Sequence, residues 1–343
     1  MRKLLNTLHV MTQGAYVHRD GETVAVKIDS ETRLRVPVHT LEGLVCWGHV
    51  SCSPPVLALC CEKGVGISFL AESGHFLARV QGPVSGNVLL RRQQYRSADD
   101  AEHSLGIVRM IVAAKVANSR IVILRAAREV SDPTAAAQLR EAAGKLAEIG
   151  RQALQAATAE EARGHEGIAG RIYFSAFDAM VVGNRETFVF RGRSRRPPLD
   201  PINALLSFAY ALLRHDVESA LESVGLDPAV GFLHTDRPGR PSLALDLMEE
   251  LRSAIADRLV LTLINRRQLG ESDFSTQDNG SVVLSELARK TLVSAWQQRK
   301  QEEIMHPFLE ERIAVGLIPY AQALLMARFL RGGLDAYPAF LWR

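Results

Sequence analysis

No stretch of this chain approaches the roughly 18 consecutive apolar residues that a membrane-spanning helix needs. Its start, MRKLLNTLHVMTQGAY, is basic, but the apolar run is short and broken by Asn6, Thr7 and His9. No secretory leader is read there, and a cytosolic (cytoplasmic) location is expected. Cysteine is scarce: Cys46, Cys52, Cys60 and Cys61 contain no C-x-x-C pair. That excludes the zinc-ribbon pattern and leaves the thiols as small buried hydrophobes. An excess of one charge is absent too. Lys and Arg number 41 against 38 Asp and Glu, and a net charge of +3 is too small to point to nucleic acid by itself. Internal repeats and low-complexity tracts are missing.

What is present is an ordinary globular composition, 47% hydrophobic and 23% charged, in 343 residues, more than one core usually serves. The first ninety residues read as β. AYVHRDGETVAVKI (15–28) is a hairpin around Asp20-Gly21, TRLRVPVH (32–39) alternates, and GLVCW (43–47) is a short buried strand. SPPVLALCCEKG (53–64) reads as a helix with Ser53 as cap and Gly64 at its end. GISFL and HFLARV flank a polar turn at 71–74, and the strands run out near Pro83. Beyond residue 100 the apolar period becomes helical, over 101–130, 132–157, 166–182, 201–224, 242–264, 284–304 and 308–331. The expectation is an α+β multidomain chain. A small β-sandwich-like domain with one short helix (1–92) leads through a linker (93–103) to a larger all-α domain (104–343).

Chemistry concentrates in HTDRPGRPSLALDLMEELR (234–252), where a histidine enters a proline-stiffened loop and a helix follows. On a helix turning about 100° per residue, with Asp246 at zero, Glu249 falls at about −60°, Glu250 at about +40° and Asp257 at about +20°. Ser242 and Ser253 share this arc, while Arg252 and Arg258 lie outside it. One reading is a wet acidic face. The other is a cation site, because like charges one turn apart repel and a divalent ion reverses the sign. His234 divides the same way, between a structural histidine and a ligand. Imidazole plus carboxylates makes a hard site that suits Mg²⁺ or Mn²⁺ better than zinc. Glu166, in RGHEGIAGRIYFSAFDAM, offers a third acidic group at the head of a largely apolar helix. There it is either ligated or simply favoured by the helix dipole. No local rule joins positions 166, 234 and 249. Arginine gathers in RRQQYR (91–96) and FRGRSRRPP (190–198), as solvated loops or as phosphate contacts. His306 in HPFL reads as packing or capping, and LDAYPAFLWR as a tail docked on its own domain.

Several stretches carry a resemblance over essentially the whole length: VPVHTLEGLVCWG, FLARVQGPVSGNVLLRRQQYR, RRPPLDPINALLSFAYALL, VGLDPAVGFLHTDRPGRPSLALDLMEELR and ARKTLVSAWQQRKQEEIMHPFL. The chain closely resembles the CRISPR-associated integrase and endonuclease family that captures new spacers, most of all the type I-C form. The resemblance implies a metal site made by Glu166 in RGHEG, His234 in GFLHTD and Glu249 in DLMEE, with Asp246 as a nearby acidic residue counted with it. It implies Mg²⁺ or Mn²⁺ as cofactor, and attack of a prespacer 3′-OH on the phosphodiester of the CRISPR repeat, with cleavage of nucleic acid besides. It also implies DNA and a small ferredoxin-like adaptation protein as partners, and a homodimer made by the β domains. Candidate DNA contacts are Arg91, Arg92, Arg193, Arg195, Arg196, Arg237 and Arg240, with Arg237 and Arg240 favoured by nearness to His234. Two alternatives remain: a carboxylate-pair sugar hydrolase, whose activity would survive EDTA, and a non-catalytic nucleic-acid-binding scaffold.

Overall fold

A computed structural model of the chain describes residues 6–72, 76–80, 82 and 87–342. The basic start before Asn6, the second half of the turn expected at 71–74, and Pro83 lie outside the described residues. The chain divides into two compact units, 1–86 and 87–343.

In the first unit, β1 (Thr7–Val10), β2 (Tyr16–Asp20), β3 (Thr23–Ile28), β4 (Glu31–Pro37), β5 (Gly43–Trp47) and β6 (Ser51–Cys52) precede α1 (Pro54–Lys63). β7 (Gly66–Leu70) and β8 (Phe76–Val80) follow. The strands form two sheets, ordered β4-β3-β2-β6 and β1-β5-β7-β8. Val17, Val24 and Val26 of one sheet share a single core with Leu44, Cys46 and Ile67 of the other, and with Val56 and Leu59 of α1. Gly21 closes the β2–β3 hairpin in a positive-φ turn that favours glycine. Ser53 caps α1 by accepting from Val56 N–H, and Gly64 ends it in the left-handed region. β1 and β6 escaped the local reading because each pairs in parallel with a strand remote in sequence. The four cysteines are unbridged.

The second unit runs α2 (Val88–Asp99), α3 (Ala101–Glu129), α4 (Pro133–Gln155), α5 (Ala159–Ser175), α6 (Pro201–Val224), α7 (Ser242–Leu251) and α8 (Arg258–Asn265). After it come β9 (Phe274–Thr276), β10 (Val282–Leu284), α9 (Glu286–Gln301), β11 (Glu303–Met305), β12 (Arg312–Ala314) and α10 (Ile318–Leu330). Asp100, Asp132, Thr158, Asp200 and Ser285 each accept a first-turn N–H and start a helix.

Several boundaries differ from expectation. Residues 93–99 and 101–103 belong to two helices where a linker was expected, because Asp100 alone both ends α2 and caps α3. The second unit is the helical one, as expected, with two small hairpins, β9–β10 and β11–β12, inserted between its helices. The helix expected at 166–182 starts at Ala159 behind the Thr158 cap, through the polar run AEEARGHEG, and stops at Ser175. The helix expected at 308–331 begins only at Ile318; His306 sits instead in the β11–β12 turn, where it accepts from the Phe308 and Leu309 N–H groups and meets Gln322. The stretch 242–264 is broken by a π-helical turn, Arg252–Asp257. Among the described residues no helix is long and apolar enough to cross a membrane.

The C-terminal tail does dock on its own unit, through buried polar groups. Glu250 accepts from Tyr337 Oη at 2.5 Å and from Phe340 N–H at 2.6 Å. Asn118 of α3 donates to the carbonyls of Glu250 and Phe340 and accepts from Trp342 N–H. Burial pushes the Glu250 carboxyl up to about 7, although Tyr337, the Phe340 N–H and Gln322 pull the other way. A raised carboxyl contributes stability that is complete below its unfolded value near 4.5 and is lost as pH rises toward about 7. Glu250→Gln removes that loss. In urea titrations, wild type is expected to fall relative to the variant by about 3 kcal/mol between pH 4.5 and 7.5. Parallel pH profiles for the two proteins would contradict this.

Candidate functional site

α7 is buried on every side, so the wet acidic face is not what the sequence encodes. Asp246, Glu249, Glu250 and Asp257 are 0%, 3%, 0% and 1% exposed. A buried carboxylate is costly unless it is paired or hydrogen-bonded, and each of these four has its own set of partners.

Asp246 organises the histidine loop. Its Oδ2 accepts from the N–H groups of Phe232 (2.6 Å) and Leu233 (3.0 Å), and its Oδ1 from that of His234 (2.9 Å). The same Oδ1 meets His234 Nδ1 at 2.7 Å. An accepting carboxylate places the ring proton on Nδ1 and leaves Nε2 with a free lone pair, as in carboxylate–histidine pairs that present imidazole to a metal. The loop is pinned from three more directions. Gln94 of α2 donates to the Asp227 and Val230 carbonyls, both at 2.8 Å. The Pro228 carbonyl accepts from Leu243 N–H at the head of α7. Arg163 of α5 donates to the Leu233 carbonyl at 2.7 Å. Gly231 makes the close approach possible, because an added Cβ would lie 2.7 Å from both Asp246 Oδ2 and the Ser242 carbonyl carbon.

Glu249 and Glu166 meet at one amine. Lys115 Nζ of α3 pairs with Glu166 Oε1 and lies 2.6 Å from Glu249 Oε2. Arg252 pairs with Glu249 Oε1 at 3.0 Å. Burial alone would push the Glu249 carboxyl up, but Arg252 and Lys115, with a smaller contribution from His234, hold it at about 2. Glu166 lies inside α5 rather than at its head, so the helix dipole does not account for it. Arg163, one turn earlier, ties the same helix to the histidine loop.

Lys115, Glu166, Glu249 and Arg252 border a cleft of about 670 Å³ together with Gly167 and Gly170, whereas His234, Asp246 and Arg163 are not among its lining residues. Of the candidate arginines, Arg193 and Arg195 line it. Arg193 is held by Asn203 and Ser207 and stacks with Arg252 about the Tyr210 ring, whose hydroxyl donates to Asp257 at 2.7 Å. Burial pushes the Asp257 carboxyl up to about 6, opposed by that hydrogen bond and by Arg252 and Arg193. Arg196 is exposed before Pro197, Arg237 and Arg240 sit in the loop after His234, and Arg91 and Arg92 lie on α2. None of these five borders the cleft.

The donors suit a hard divalent cation in kind: two carboxylates already share one positive charge, and an imidazole has its second nitrogen free. Glu249 Oε2 is buried with an ammonium at 2.6 Å but no partner in hydrogen-bonding geometry. Among the described residues, no three of His, Cys, Asp and Glu stand at metal-ligand spacing. Lys115 occupies the gap. Lys115, Arg163, Arg252 and Tyr210 escaped the sequence reading. Lys115 did leave a sign, as a lone ammonium inside the apolar run IVAAKVAN, where a charge needs a partner.

Comparison with known proteins places these features in company. Residues 8–298 match the family model described as CRISPR associated protein Cas1. A CRISPR-associated endonuclease Cas1 from Chlorobaculum tepidum is 52% identical over 343 residues, covering the whole of both chains. Among solved structures, a casposase bound to integration product superposes with a TM-score of 0.83 at 22% identity, over 98% of this chain and 94% of that one. A Cas6-RT-Cas1–Cas2 complex gives 0.83 at 22%, over 97% of this chain and 36% of that one.

Gly231→Ala drives a methyl group into the Asp246 carboxylate and is expected to cost about 1–3 kcal/mol. Gly164→Ala in α5, where an added Cβ meets nothing within 4 Å, is expected to be neutral or to stabilise by up to about 1 kcal/mol. Thermal unfolding of the two variants checks the opposite signs.

Proposed function

Because the chain belongs to the CRISPR associated protein Cas1 family, we propose that it is a metal-dependent DNA strand-transferase and endonuclease of CRISPR adaptation. The stretches quoted above favour the type I-C form. The observation that carries this reading is the meeting of Glu166 and Glu249 at Lys115, together with a His234 whose Nδ1 is fixed by Asp246. Glu166, Glu249 and His234 would hold Mg²⁺ or Mn²⁺. A bound ion of this kind supplies Lewis-acid polarisation of a phosphodiester and stabilises charge in in-line displacement.

The protein's own groups do the rest. Asp246 keeps His234 in the tautomer that offers Nε2, so its role is orientation rather than ligation. Glu249, held ionised by Arg252 and Lys115 across the working pH range, serves as a ligand and not as a proton donor. Arg193 and Arg195 offer guanidinium groups to phosphates in the cleft. Arg91, Arg92, Arg196, Arg237 and Arg240 act farther along the DNA. In the reaction, the prespacer 3′-OH forms a new phosphodiester with the repeat strand as the old P–O bond breaks and leaves a free 3′-OH. With water in place of that hydroxyl, the outcome is cleavage. The β-rich unit makes a homodimer, and a small ferredoxin-like protein bridges copies in the cytosol. The casposase holding an integration product and the complex containing Cas1 and Cas2 support the DNA and partner assignments by likeness of fold.

Glu166→Ala, His234→Ala and Glu249→Ala are each expected to lower joining of a labelled duplex into a repeat plasmid by at least about a hundredfold. Duplex binding should stay near wild type, and EDTA should stop the wild-type reaction. A scaffold without catalysis would instead show no metal-dependent joining in the wild type.

A further inference from the structure

We propose that Lys115 is the resident counter-ion of this centre: its ammonium holds Glu166 and Glu249 together, and a divalent ion binds by displacing it. The inference rests on the metal-dependent reading above and goes beyond it, because it assigns a residue outside the ligand set a role in setting metal affinity.

The geometry points this way on three counts. First, Lys115 rises from α3 among buried Ile111, Val112, Ala114 and Val116, where an unpaired amine would be expensive. It is paired with two carboxylates from two different helices, α5 and α7. With Arg252 on the far oxygen of Glu249, two negative charges meet two positive ones and the cluster is balanced. Second, a divalent ion coordinated by the same oxygens would stand against the ammonium at contact distance, and like charges that close cannot share the carboxylates. Third, the two cations are held differently. Both border the cleft, but Arg252 is stacked on the Tyr210 ring, whereas Lys115 ends in a flexible four-carbon stem.

Displacement also changes what the cleft attracts. Before it, the carboxylates cancel Lys115 and Arg252. After it, the same carboxylates face Arg252, the ion and a released ammonium, so positive charge is in excess where a phosphodiester would enter. Lys115 therefore opposes metal binding in the absence of DNA and favours the anion once the metal is in.

The test is Mn²⁺ binding to the DNA-free full chain, followed by the electron paramagnetic resonance of free Mn²⁺. Lys115→Met is expected to bind at least about tenfold more tightly than wild type, the size of an ordinary coupling between two sites. Affinity that is equal or weaker in Lys115→Met overturns the inference while leaving the metal reading intact; absence of Mn²⁺ binding in both proteins removes both. Should Lys115→Met fail to fold, wild type answers alone. Acylation of the Lys115 amine, read by peptide mass spectrometry, is expected to speed up several-fold when Mn²⁺ replaces EDTA. An unchanged rate overturns the inference.

Discussion

Four carboxylates buried along one short helical segment set the constraint that the helical unit is built to meet. A buried acid demands a donor or a cation, and neighbouring positions on a helix point in different directions. Asp246, Glu249, Glu250 and Asp257 therefore draw their partners from different parts of the chain: the histidine loop, the α3 lysine, the C-terminal tail and the α6 tyrosine. Each pairing is local, but together they fix how the histidine loop, α3, α6 and the tail pack around α7.

Adjacent residues show how this works. Glu249 and Glu250 are consecutive, yet one faces the cleft and the other faces the tail. α3 serves both from a single face, because Lys115 and Asn118 lie one turn apart and reach Glu249 and the Glu250 carbonyl respectively. The same spacing recurs on α5, where Arg163 holds the histidine loop and Glu166 reaches Lys115. Two i,i+3 pairs on two helices thus tie together residues that stand 51, 70 and 132 positions apart in the chain. The π-helical turn after Leu251 shifts the phase of the helix and turns Asp257 toward Tyr210.

The local half of this was legible in sequence. Apolar period placed α3, α4 and α6 nearly to the residue, and the β2–β3 hairpin followed from Asp20-Gly21. Asp246 and Glu249 stood out because acids shared an arc. The same projection misled where the helix was not regular: ideal geometry put Asp257 beside Asp246, and the π turn moved it. It also set Arg252 outside the arc, although a guanidinium one turn from Glu249 reaches back to it. Start signals failed at α5, whose first turns are polar, so Glu166 was read as heading a helix that it occupies from within. Long-range partners such as Lys115 and Arg163 could not be read from spacing, because nothing local records which remote segment will cover a buried charge.

The state of the carboxylates also bears on the kind of chemistry. A glycoside hydrolase needs one acid that keeps its proton near neutral pH and a second carboxylate across a gap wide enough for the sugar. Here Glu249 is held at about 2, so it is not an acid that keeps its proton near neutral pH. Asp257, at about 6, is the acid bordering the cleft whose proton is held more tightly, but it is buried and engaged by Tyr210, with Arg193 and Arg252 about the same ring. Carboxylates that converge on one cation are arranged to hold positive charge. A phosphodiester is the substrate class that gains most from such an arrangement, because its oxygens carry the negative charge that the carboxylates alone would repel.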